Sequence, residues 1–200
     1  MNKKEKEIRE KEEFNNVINK MSNEGYKRKD HIISPLNANI FGILTPLPFM
    51  IIPIVYYILN YKNFDNSFQF TAVNFIIILI ASLLIHEFIH GFTWSFYCKD
   101  RFKSIKFGFN LSALMPYAHC REALYKNGYM IGALMPFVIL GIIPMLSMFI
   151  YPTRFLFLFS ILNMLFAGGD LLIILHLLKY KDIKVFDHPT DPGFVAFEKK

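Results

Sequence analysis

His86-Glu87-Phe88-Ile89-His90 sets two imidazoles four residues apart, with a carboxylate beside the first. On a helix, positions four apart stand one above the other on one face, so both rings can reach a single metal ion. The neighbouring acid can then take a proton from a water at that ion. Zinc suits two nitrogens and a carboxylate, with a fourth position open for water or substrate. The third ligand has to come from elsewhere, and Asp170, preceded by Gly168 and Gly169, is an acid in an otherwise apolar stretch. Asn163, seven residues earlier, falls on the same face of a continuous helix. There it could donate to a substrate carbonyl or to the oxyanion formed on attack, or equally make a hydrogen bond between helices.

The elements that must hold these groups are apolar. Of 200 residues, 54% are hydrophobic and 22 are Phe, and the mean hydropathy is +0.32. This excludes a disordered or fibrous chain and points to a protein that folds in lipid. Only two cysteines are present, Cys98 and Cys120, which excludes a disulfide-rich secreted scaffold. The net charge of +6, in so apolar a chain, reads as cationic loops at a cytoplasmic face rather than a nucleic-acid surface.

Four stretches poor in charge, residues 36–59, 71–97, 129–151 and 155–178, are each long enough to cross a hydrocarbon core of about 30 Å as a helix. Pro46, Pro48 and Pro53 predict a kinked or partly re-entrant first span, and Pro136 and Pro144 fall in the third. Nine Lys and Arg lie in residues 1–33, six in 98–128 and five from Lys179 on, against one in each of the alternate connections. Four crossings put all three basic segments on one side, which predicts a multi-pass protein of the cell membrane with both termini in the cytoplasm. A disulfide between Cys98 and Cys120 is then not expected at that reducing face. The charged N-terminus and the late first apolar run predict no signal peptide. The expected organisation is a charged cytoplasmic segment (1–33), an integral membrane metallopeptidase domain (34–178) and a cytoplasmic tail (179–200).

Ionisable groups at bilayer depth need a partner or a task. The second span holds His86, Glu87 and His90; the fourth holds Asp170 and, nearer its end, His176, which reads as structural. The first and third hold no Asp, Glu, Lys, Arg or His. Asp170 follows Arg154 by 16 residues and His86 follows Thr71 by 15. Counted from the same side of the membrane, both groups sit about 22–24 Å in. Gly168 and Gly169 would let these two helices approach closely.

Outside the spans, Phe14, Val17, Ile18 and Met21 have helical spacing, which predicts an amphipathic helix on the membrane surface or a solvated tail with one apolar stripe. Lys103, Ile105, Phe107 and Phe109 alternate with other residues before Asn110, Ser112 and Pro116 break the run, which predicts a cytoplasmic strand or small hairpin. His119, Cys120 and Glu122 form a second polar cluster, read as an interfacial loop. Residues 187–193 read as turns.

His86-Glu87-x-x-His90 in one span, with Asn163 and Gly168-Gly169-Asp170 in a later one, resembles the site-2-protease class of intramembrane zinc metalloproteases. More closely, residues 82–178 resemble a family of small bacterial membrane proteins described as zincin peptidases, in which such a helix is followed by a basic loop, two further spans and a Gly-Gly-Asp segment. The site-2 class typically has Asn-Pro-x-Pro and Leu-Asp-Gly where this chain has Asn163-Met164-Leu165-Phe166 and Gly169-Asp170-Leu171. The resemblance implies membrane helices gathered around zinc, with Glu87 as general base.

The expected fold is therefore an all-α membrane protein, with about four transmembrane helices around an intramembrane metal site and a small cytoplasmic hairpin between the second and third spans. The expected function is intramembrane zinc proteolysis: Zn2+ held by His86, His90 and Asp170, a zinc-bound water activated by Glu87, and Asn163 at the substrate. The partners would be the lipid bilayer and a membrane-protein or peptide substrate, not nucleic acid, and a homo-oligomer stays open. Two alternatives use the same residues: a membrane protein that binds or transports a divalent metal, and a catalytically inactive membrane binding protein.

Overall fold

The structure, a computed structural model, describes residues 3–68, 71–110, 115–188 and 193–199. Helix α1 (Lys3–Asn23) and strand β1 (Tyr26–Ile32) precede the apolar helices. α2 (Pro35–Leu44) and α3 (Leu47–Asn60) meet at Pro46 and Pro48, and Pro53 lies inside α3. Proline supplies no backbone donor, so two short helices form where the sequence predicts a kink. α4 (Ala72–Ser95) runs unbroken. The hairpin β2 (Ile105–Asn110) and β3 (Met115–Cys120) follows, paired from Ile105 opposite Cys120 to Asn110 opposite Met115. The short β4 (Leu124–Tyr125) leads into α5 (Lys126–Pro136), a wider π-helical stretch over 137–142, and α6 (Ile143–Ile150). Pro144 cannot return a hydrogen bond to the preceding turn, and a π stretch is one way a helix absorbs that gap.

The chain ends with α7 (Arg154–Phe166), α8 (Gly168–Leu177), β5 (Ile183–Asp187) and β6 (Gly193–Lys199). Ser34, Thr71 and Thr153 cap α2, α4 and α7, each hydroxyl accepting from the N–H three residues on, at 3.2–3.3 Å.

Among the described residues, Pro35–Asn63, Ala72–Ser95 and Lys126–Ile150 are long and apolar enough to cross a membrane; α7 and α8, bent by 47°, make a fourth crossing if taken as one span. α4 is built inside out. Its buried positions include Ser82, His86, His90, Gly91 and Ser95, while Ile76, Ile77, Ile80, Leu84, Phe88 and Phe92 face outward. Ile89 and Trp94 are the large apolar side chains on the buried face; the uncovered outer face is apolar, as a helix that crosses a membrane requires.

Four expectations change here. The fourth apolar stretch is two helices, because Ala167 leaves the helical region (φ −79°, ψ 2°) between them. The glycines beside Asp170 do not serve an approach to α4. A Cβ at Gly168 would overlap the Gly42 carbonyl of α2, and a Cβ at Gly169 would meet nothing.

Both ends of the chain fold together: β1, β6, β5 and β4 form one antiparallel sheet in that order, so the tail is strands rather than turns only. Of the expected turn segment, residues 189–192 lie outside the described residues. α1 packs on this sheet instead of the membrane surface, with Met21, Phe14, Val17 and Ile18 against Phe186, Val195 and Phe197. Side chains alternate across β6, so Phe194 and Ala196 point the other way, into a core shared with Trp94, Tyr129 and Leu177.

Candidate metal centre

α4 and α8 supply the donors. His86 and His90 are four residues apart on the buried face of α4, with ring centroids 4.7 Å apart. Their Nε2 atoms are 3.0 Å from one another, and Asp170 Oδ2 lies 3.1 Å from the first and 3.4 Å from the second. Asp170 reaches them because the chain breaks at Ala167. The break sets Asp170 in the first turn of α8, where the positive end of the helix favours a carboxylate. The Gly168 carbonyl, in the first turn of α8, accepts from Thr45 Oγ1 at 2.8 Å. The first apolar segment thus clamps the turn that carries the third donor.

The donor set fits zinc. Four ligands placed tetrahedrally at about 2.0–2.1 Å from zinc stand about 3.3 Å from one another, close to the three separations found. The proton positions agree. His90 Nδ1 is 2.9 Å from the Gly132 carbonyl, which can only accept, so neutral His90 carries its proton there and turns the lone pair of Nε2 toward the other two donors. All three donor atoms lie within 4.8 Å of one another, and both rings are almost wholly buried. Residues 79–184, over half the chain, match the model of a family described as "Putative zincin peptidase". The chain belongs to this zincin family. The family implies Zn2+, and the matched segment includes all three donors and Glu87. No curated protein and no solved structure matches the chain.

Within the zincin segment, Glu87 is half-buried beside the first ligand, and its Oε2 accepts the Ala118 N–H at 2.6 Å. That N–H is on the edge of β3 turned away from β2. The strand next to the acid is thus β3. β2 lies against α4 at Gly91, where a Cβ would run into Ile105 and Phe107.

Asn163 is fully buried on α7; its amide donates to Phe159 O at 2.8 Å and lies 3.4 Å from Ser82 Oγ, one turn before His86 on α4. The bend at Ala167 removes the shared face with Asp170 that a continuous helix would have provided. His176 Nδ1 bonds the Leu172 carbonyl within its own helix.

The second polar cluster divides three ways. His119 Nδ1 lies 3.3 Å from Asp187 Oδ2, Cys120 Sγ lies 3.0 Å from Cys98 Sγ with both thiols free, and Glu122 bonds Ser104. The sequence reading missed Trp94, Tyr129 and Gly132. Trp94 stacks on His90 at 5.0 Å and 12°, and its indole N–H donates to the Tyr129 carbonyl at 3.0 Å. A Cβ at Gly132 would overlap the Trp94 ring, and one at Gly128 would strike Tyr97. Gly128 and Gly132, four apart in α5, are a small-residue face that could have been read as the contact to α4.

Proposed function

We propose that this zincin is an intramembrane metalloprotease that hydrolyses peptide bonds in or near transmembrane segments, as its resemblance to the site-2-protease class implies. The observation that carries the reading is the meeting of His86, His90 and Asp170, with Glu87 beside them, on helices whose outer faces are apolar. The distribution of Lys and Arg supports a multi-pass chain of the cell membrane with both termini in the cytoplasm. The lipid bilayer and a membrane-protein or peptide substrate are its proposed partners.

His86, His90 and Asp170 would hold the ion, which when bound supplies Lewis acidity toward the scissile carbonyl and the attacking water. Glu87, held by Ala118, accepts the water's proton and hands it to the departing amine. A transmembrane helix shields its own backbone bonds, so the substrate has to unwind before attack. The edge of β3 at Ala118 offers an unwound segment a strand to pair with, beside the acid that acts on it. Asn163 ties α7 to Ser82, one turn before His86 on α4.

Metal analysis of purified protein tests the reading. Zinc at about one per chain in the wild type, lost in both His86→Ala and Asp170→Ala, is the expected result. A wild type without zinc, or variants that keep it, would overturn it.

A further inference from the structure

Asp187, the last residue of β5, lies three residues beyond the segment that matches the family. Its carboxylate joins two elements that meet the metal centre. Oδ1 accepts from the Tyr129 hydroxyl on α5, and Oδ2 lies 3.3 Å from His119 Nδ1 on β3. One turn along α5 from Tyr129 is Gly132, whose carbonyl holds His90 Nδ1 at 2.9 Å. Next to His119 is Ala118, whose N–H holds the Glu87 carboxylate at 2.6 Å. Trp94 fills the space between, stacked on His90 on one side and on Tyr129 on the other (5.0 and 5.4 Å).

We infer that Asp187 is a positioning residue for the metal centre: one carboxylate of the C-terminal sheet sets α5, and through Gly132 the ring of His90, and sets β3, and through Ala118 the carboxylate of Glu87. The inference rests on the zinc reading above. Its physical basis is the Gly132 carbonyl, which keeps the His90 proton on Nδ1 and the ring edge toward the ion. A tilt of α5 moves both. Tyr129 is 3% exposed, so its hydroxyl has little water to turn to if Asp187 is removed. A hydrogen bond to an ionised carboxylate is among the stronger ones, and contacts one shell out from a metal commonly change its affinity by about 10–100-fold.

The test uses the full chain in detergent, with zinc affinity read by chelator competition and the visible spectrum of the Co2+-substituted protein as a second readout. Asp187→Asn and Tyr129→Phe should each weaken zinc by about tenfold and shift the cobalt bands. The double variant should do no more than the stronger single one, and Asp187→Glu should restore part of the loss. Val185→Ala, in the same strand but away from the carboxylate, should lower the melting temperature and leave the cobalt bands in place. Wild-type affinity and spectrum in Asp187→Asn would overturn the inference alone. So would equal shifts in Val185→Ala, which would make the effect one of sheet stability. A wild type that takes up neither metal would overturn the zinc reading and this inference together.

Discussion

Thr45 Oγ1 stands 2.8 Å from the Gly168 carbonyl, and a Cβ on Gly168 would collide with the Gly42 carbonyl one turn away on the same helix. The contact holds α2 against the start of α8, two residues before Asp170. Thr45 closes α2, and its hydroxyl donates into the first turn of α8, so one side chain ties the end of one helix to the start of the other. The bend that aims Asp170 at the imidazoles therefore depends on a helix with no ionisable group of its own.

Gly168→Ala should accordingly separate α2 from α8. Backbone cannot yield as a flexible side chain can, so the methyl group should cost about 1–3 kcal/mol, as overpacking does elsewhere. Zinc binding should weaken with it, since Asp170 moves with the turn. Gly169→Ala meets open space and should leave both nearly unchanged. Thermal unfolding and zinc competition on the two variants check this; equal effects would show that the close approach at Gly168 does not matter.

Glu87→Gln separates the readings of function. The amide keeps the shape of the side chain but cannot take a proton, so a peptidase should retain zinc and lose about 100-fold or more in turnover. A metal carrier should keep most of its transport, and an inactive binding protein should lose nothing. Turnover of a transmembrane reporter by wild type and variant, beside zinc content, gives the answer.

The two imidazoles and their acid could be read from five residues, because helix periodicity alone decides which side chains share a face. Asp170 could be matched to them by counting helical rise. The path it takes could not, since Gly-Gly-Asp was read as a close helix contact rather than as a stop and a fresh first turn with its acid. The four-stranded sheet was hidden for a different reason. β1 is an edge strand with Lys27, Arg28 and Lys29 exposed, and its partner lies at the other end of the chain. Strand pairing over such a distance leaves no local pattern, and charge on an edge obscures the little alternation there is. Asp187 was hidden with it.

Glu122 predicts an acid-sensitive anchor for the hairpin. Burial acts to raise its pKa. Hydrogen bonds from the Ser104 hydroxyl and from the N–H groups of Lys99 and Asp100 outweigh that and hold it below the usual 4.5. A carboxyl depressed on folding adds stability that is present above the unfolded value and is lost as pH falls through the folded one. The melting temperature should therefore drop as pH is lowered below about 4.5, and it should drop less in Glu122→Gln, which has already lost the charge. Parallel curves for the two proteins would show that the anchor is elsewhere.

Zinc itself should stabilise the fold, because its three donors join α4 to the first turn of α8. An ion that binds only the folded chain raises stability by mass action, about 2.7 kcal/mol when free zinc stands 100-fold above its Kd. Melting curves in chelator and in buffered zinc should differ accordingly. The same addition to His90→Ala should shift the curve little, since two donors remain of three. Magnesium should not substitute for zinc, because it prefers oxygen ligands and holds its water tightly. A shift of equal size in His90→Ala, or with magnesium, would mean that the ion binds the exposed carboxylates of the sheet rather than the buried triad.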